Sequence, residues 1–246
     1  MKTIYSLLAL SLLSISLCAD VVLKEKGKKA QNYFSVKTRN LTLIAKKNRK
    51  SAAQIIQKSN VEYVDMDEPV AVQKIATKFY AGDYAFVLKY SDSALKKYKY
   101  LGWGKPLAYY QSLAYAKTGD IKKAEITTIK AFGYMDQSGS NRAVHDALVD
   151  LTKVYADFKN KKQSEAFEAL KNIPLKANKA KAYVYNMYGI LYLEKGQKDL
   201  ALNNFLKSIL LSKSSSYERD YAFAQATLLY QEKGNSKRIE QLKKIK

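Results

Sequence analysis

The chain has 246 residues, with 43 Lys and Arg against 22 Asp and Glu for a net charge of +21, and it carries one cysteine and one histidine. A lone Cys18 and a lone His145 exclude disulfides, cysteine-based metal sites and any paired-histidine metal motif. The length suffices for a sizeable apolar interior, and a charge this positive favours polyanions and anionic surfaces as partners.

Lys2 is followed by an apolar run from Ile4 to Leu17, then by Cys18, Ala19 and Asp20. That pattern predicts a secretory signal peptide over residues 1–19, with cleavage after Cys18 or Ala19. The run is shorter than the roughly 20 residues that span a bilayer. A lipid anchor on Cys18 is the second reading, but Leu17 stands where a lipoprotein signal carries a small residue. The expected location is therefore the periplasm, for an exported domain that is stable through its core alone.

Residues 20–60 form a basic N-terminal segment holding eleven bases and two acids. Residues 20–30 show no apolar period and read as a mobile leader. Leu41, Ile44, Ala45, Ala52, Ile55 and Ile56 fit one helical face, which predicts a helix over about 41–58 capping whatever follows. Lys46, Lys47, Arg49 and Lys50 are the candidate polyanion-binding cluster, set against the plainer reading that lysines keep the chain soluble.

From residue 61 to 246 the pattern is helical. Asp65, Asp67 and Glu68 precede a helix start with Pro69 in its first turn. Five helix-turn-helix hairpins follow, over about 69–98, 106–134, 141–172, 176–212 and 215–246. Their turns fall at Gly82, Gly119, Lys159 to Lys161, Gly196 and Gly234, and Trp103 sits in the first connector. The glycines are 37, 77 and 38 residues apart, so the double gap accommodates the glycine-free unit. The predicted fold is all-α, a right-handed solenoid of about five hairpins with a basic N-terminal segment.

Hairpin four places Gly189, Tyr192, Gly196, Ala201, Phe205 and Ser208 at successive gaps of 3, 4, 5, 4 and 3, after Tyr185 and Tyr188. This resembles the tetratricopeptide repeat. Hairpin two follows the same pattern at Ser112, Tyr115, Gly119, Ala124 and Ala131, and hairpin five at Tyr230 and Gly234. Small residues such as Gly189, Ala124 and Ala201 let helix axes approach to about 8–10 Å. The resemblance implies a binding groove lined by the first helix of each hairpin, here by Phe79, Tyr109, Lys117, Tyr183, Asn186 and Tyr221. It further implies an exported scaffold whose partner is another protein or peptide of the cell envelope.

Little points to chemistry. There is no Gly-rich phosphate loop, and no cofactor or metal is expected. Asp65 with Asp67, or Asp146 with Asp150, would be the carboxylate pairs of a cell-wall glycan hydrolase, but acids at helix starts or on solvated faces explain them more simply. An anionic surface or polymer held by the basic segment is the alternative partner, with nucleic acid less expected than either.

Overall fold

A computed structural model describes residues 21–175, 178–214 and 216–245. The expected signal peptide and Cys18 lie outside the described residues. Six strands come first: β1 (Val21–Glu25), β2 (Gln31–Tyr33), β3 (Ser35–Arg39), β4 (Thr42–Lys46), β5 (Gln54–Gln57) and β6 (Val61–Asp65), with a single 3-10 turn at Lys58–Asn60 before β6. Ten helices follow: α1 (Val70–Tyr80), α2 (Tyr84–Tyr98), α3 (Gly104–Lys117), α4 (Ile121–Ala131), α5 (Gly139–Lys159), α6 (Gln163–Lys171), α7 (Asn178–Glu194), α8 (Lys198–Leu211), α9 (Tyr217–Glu232) and α10 (Ser236–Lys243). The protein is mostly helical but not all-α.

The strands overturn two expectations, the mobile leader over 20–30 and the capping helix over 41–58. They form two antiparallel three-stranded sheets, ordered β2-β1-β6 and β3-β4-β5, and only Phe34 separates β2 from β3. Leu43, Ala45 and Ile56 point into a core shared with Val21, Leu23, Tyr33, Val36, Val61 and Val64. Leu41, Ile44, Ala45, Ile55 and Ile56 fit a helical period, whereas Leu41, Leu43 and Ala45 fit a period of two. The polar residues between them decide: Asn40 adopts a positive φ of 44° that closes the β3–β4 hairpin, which matches the tolerance of Asn for the left-handed region. Asn48 then accepts from the backbone of Lys50 and Ser51 at 3.0 and 2.7 Å and folds the β4–β5 turn on itself.

The β module is fastened to the helices. Val64 donates its backbone N–H to Asp136 at 3.0 Å, Trp103 donates its indole N–H to the Met66 carbonyl at 3.1 Å, and the Asp65 carboxylate accepts from the Ser138 backbone at 2.7 Å and from its hydroxyl. Asp65 therefore belongs to β6 and ties the sheet to the α4–α5 loop. It does not start a helix, and Pro69 is the N-cap of α1, which begins at Val70, one residue later than expected.

Each hairpin turn couples a stop to a start. Gly82, Gly119, Gly196 and Gly234 lie between helices with φ of 78°, 91°, 74° and 64°, the left-handed conformation that ends a helix. Asp83, Asp120 and Asn235 then cap the next helix, accepting from the N–H three residues on at 3.1 Å each. In the glycine-free unit Lys161 takes the positive φ, 64°, at the end of the Lys159–Lys161 turn.

The inner helices α1, α3, α5, α7 and α9 each pack on the next, and α9 also packs back on α1. The array is therefore closed on its inner side. Ser112 sits against α4, donating to the Ala124 carbonyl at 2.9 Å, and Ser208 donates to the Ala182 carbonyl at 2.9 Å. Ala124, Ala201 and Phe205 are fully buried, and Gly189 lies flat against the Phe205 ring.

Candidate functional site

The face expected to be a groove is an interior. Phe79, Tyr109, Tyr183 and Asn186 are all buried. Phe79 and Tyr109 lie 6.2 Å apart between ring centroids, Tyr109 and Tyr183 6.0 Å, and Tyr221 packs on Tyr80 at 5.3 Å and on Phe205 at 6.0 Å. Every inner helix contributes a tyrosine to this mass: Tyr80 from α1, Tyr109 and Tyr110 from α3, Tyr155 from α5, Tyr183 from α7 and Tyr221 from α9. Burial pushes the phenol pKa of all six upward. Asn186 donates to the Glu218 carbonyl at 2.8 Å, an interior bond between α7 and α9. Phe79, Tyr109, Tyr183 and Asn186 are thus brought together as core, with Tyr221 packed at its edge.

Lys117 is also engaged. Glu194, at the end of α7, binds Lys117 at 2.6 Å and Lys159 at 3.1 Å and accepts from the Tyr155 hydroxyl. Burial alone would raise the Glu194 pKa, but Lys117, Tyr155 and Lys159 outweigh it and hold it below the usual carboxylate range. Three inner helices are pinned at one end by this carboxylate.

A separate cleft lined by aromatic rings lies beside α7. Helix α6 has only nine residues and buries just Ala166 and Leu170, so α7 packs mainly on α5 and α8. Between α6 and α8 a strip of α7 stays uncovered, and it carries Tyr185, Tyr188 and Tyr192, spaced as neighbours on one helical face. These residues, with Leu170, Leu175, Val184, Leu200, Asn204, Lys171 and Lys207, line a cleft of roughly 440 Å³. Tyr188 and Tyr192 are nearly parallel, 18° between planes at 6.2 Å, and Phe167 of α6 closes on Tyr192 at 4.9 Å. Lys207 stands 5.4 Å over Tyr185 and Lys195 stands 5.3 Å over Phe167. Neither lysine forms an ion pair among the described residues, whereas Lys171 faces Glu168 at 3.8 Å.

The three tyrosines were visible in the sequence only as positions of the repeat pattern. Their exposure depends on the shortness of α6, and the chain signals that through Pro174 and the missing turn glycine.

Lys46, Lys47, Arg49 and Lys50 sit at the end of β4 and in the β4–β5 turn, on strands and not on a helix. Arg49 stacks 5.5 Å over the Phe34 ring.

Of the carboxylates considered for catalysis, Asp65 and Asp146 hold structure together. Asp65 is bound to Ser138, and Asp146 shares the buried Lys105 ammonium with Asp136. His145 is buried on α5 with its ring 5.3 Å from Trp103. Among the described residues no group of His, Cys, Asp and Glu is placed to hold a metal, and no helix is long and apolar enough to cross a membrane. Comparison with family models, curated proteins and solved structures found no match.

Proposed function

We propose that the protein is an exported, tetratricopeptide-like scaffold that holds a segment of another envelope protein in the α6–α7–α8 cleft. The observation that carries this reading is the tyrosine strip of α7. Whereas Tyr109, Tyr110, Tyr155 and Tyr183 are buried in the interior, Tyr185, Tyr188 and Tyr192 line one open cleft together, with aliphatic walls. Tyrosines supply large, rigid contact area with a polar tip, which is why they dominate the energetics of interfaces. Lys207 and Lys195, at either end of the strip, suit a segment with apolar side chains flanked by acids. The array of paired helices, the turn geometry and the small residues at helix crossings support the family likeness and a right-handed stacking. The reading assigns binding and no catalysis.

The test is photo-crosslinking in cells that make the full chain, with a photoreactive phenylalanine in place of Tyr188 or, separately, of Tyr90, which is exposed on α2. A discrete crosslinked partner from position 188 and none from position 90 is expected. Crosslinks from 90 alone, or equal labelling from both, would refute the cleft as the capture site.

A further inference from the structure

The β3-β4-β5 sheet has an outer face that combines basic and aliphatic side chains. Register places Lys37, Ile44 and Ile55 side by side in one row and Arg39, Thr42 and Gln57 in the next, with Lys46 opposite Ser35. Since Val36, Leu43, Ala45 and Ile56 fill the core, these rows point outward. Ile55 is 72% exposed, and Leu41, at the tip of the β3–β4 hairpin, is 78% exposed. Lys47, Arg49 and Lys50 continue the basic surface into the β4–β5 turn.

No Asp or Glu occurs between Lys26 and Val61. The acids of the module lie on β1 and β6 and are engaged there: Glu25 with Lys28 at 3.0 Å, Glu62 with Lys24 at 2.9 Å, and Asp65 with Ser138. One sheet thus carries the acids of the module, and the other is uniformly positive with aliphatic residues at its surface.

We propose that the β3-β4-β5 face docks the protein onto an anionic phospholipid bilayer. Lys37, Arg39, Lys46, Lys47 and Lys50 meet headgroup phosphates, and Leu41, Ile44 and Ile55 rest at the boundary between headgroups and acyl chains. The pairing of cations with exposed aliphatic side chains selects this occupant, because basic charge and buried apolar area act together in interfacial binding. A nucleic acid strand would call for outward aromatic rings on which bases stack; here Tyr33 is buried and Phe34 lies under the Arg49 guanidinium. The site is remote in sequence from the α7 cleft and stands or falls independently of it.

The experiment is co-sedimentation of the full chain with vesicles of phosphatidylcholine alone and of phosphatidylcholine mixed with phosphatidylglycerol, over a salt series. Binding to the mixed vesicles only, weakening as salt rises, is expected. Lys46→Glu with Lys47→Glu lowers that binding by at least about thirty-fold. Lys122→Glu with Lys130→Glu, on α4, makes the same change in net charge and leaves binding within a few-fold. Leu41→Ser with Ile55→Ser weakens it about tenfold or more at constant charge. Thermal unfolding of each variant verifies that it is folded. Equal losses from the two charge-reversed pairs would reduce the effect to bulk charge and overturn the proposal. Unchanged binding in the Leu41 and Ile55 variant, with full competition by a single-stranded oligonucleotide, would make the face a site for soluble polyanions and overturn it equally.

Discussion

The ring of Tyr80, at the end of the first helix, lies 5.3 Å from the ring of Tyr221 in the last hairpin, with 41° between their planes. This contact joins the two ends of the array and turns a row of hairpins into a closed one. Replacing Tyr80 with Ala should cost about 3 kcal/mol in urea unfolding. Tyr80→Phe should be neutral or stabilising by up to about 1 kcal/mol, because the buried Tyr80 hydroxyl has no hydrogen-bond partner. Equal losses in the two variants would mean that the hydroxyl is bonded after all.

Gly189 tests the packing within one hairpin. A Cβ there would meet Cε1 of Phe205 at 2.5 Å, and the ring is fully buried with no room to retreat. Gly189→Ala should therefore destabilise by about 1–3 kcal/mol. Combined with Phe205→Leu, the loss should be smaller than the sum of the two single losses. Strict additivity in a double-mutant cycle would count against the contact.

The attachment of the β module rests on Gly102, whose φ of 82° brings it against the Val64 carbonyl and the Gln137 side chain. Alanine there is both strained and blocked. Gly102→Ala should loosen the β6 docking bonds, so amide hydrogen exchange should quicken over Val61–Asp65 with the α7–α8 hairpin unaffected. Unchanged protection of β6 would show that the module is held by other contacts.

Acidification should weaken the fold through His145. Burial, with Lys179 and Lys105 adding to it, lowers its pKa to about 3, against about 6.5 for an exposed histidine. The neutral form is favoured by the fold, so this contribution is complete above about pH 6.5 and is lost as pH falls toward 3. Glu194, held below its ordinary pKa, acts in the same direction, being lost as its carboxylate protonates. Glu218 and Glu68, raised mainly by burial, act in the opposite one, because ionising them costs the folded state. Comparing the wild type with His145→Leu isolates the histidine. Urea unfolding should show the wild type losing up to about 1.4 kcal/mol more per pH unit between pH 6.5 and 5. Parallel pH profiles would contradict a buried neutral His145.

The hairpins were legible because three of the five turns are written twice, as in Gly82 followed by Asp83: one residue can end a helix and the next can begin one. The strands were not, since Leu41, Ile44, Ala45, Ile55 and Ile56 trace a helical face, the competing alternation of Leu41, Leu43 and Ala45 is short, and Asn40 and Asn48 are what discriminate. The interior was misplaced for a different reason. Tyr183 and Tyr188 are the same residue type on one helix, and which of them faces the core depends on how many hairpins complete the ring and how short α6 is. Those are global properties that no local spacing records. The same limit applies in the last hairpin, where α9 buries Glu218, Ala222, Phe223, Ala226 and Leu229 and leaves Ala224 and Leu228 exposed.

Urea unfolding of Tyr183→Ala beside Tyr188→Ala separates interior from contact surface most directly. Tyr183→Ala should lose about 3–5 kcal/mol, as a buried aromatic does, while Tyr188→Ala, at the open cleft, should lose about 1 kcal/mol or less. A Tyr183→Ala protein that unfolds like the wild type would mean that the inner helices line an open groove, contradicting the closed array.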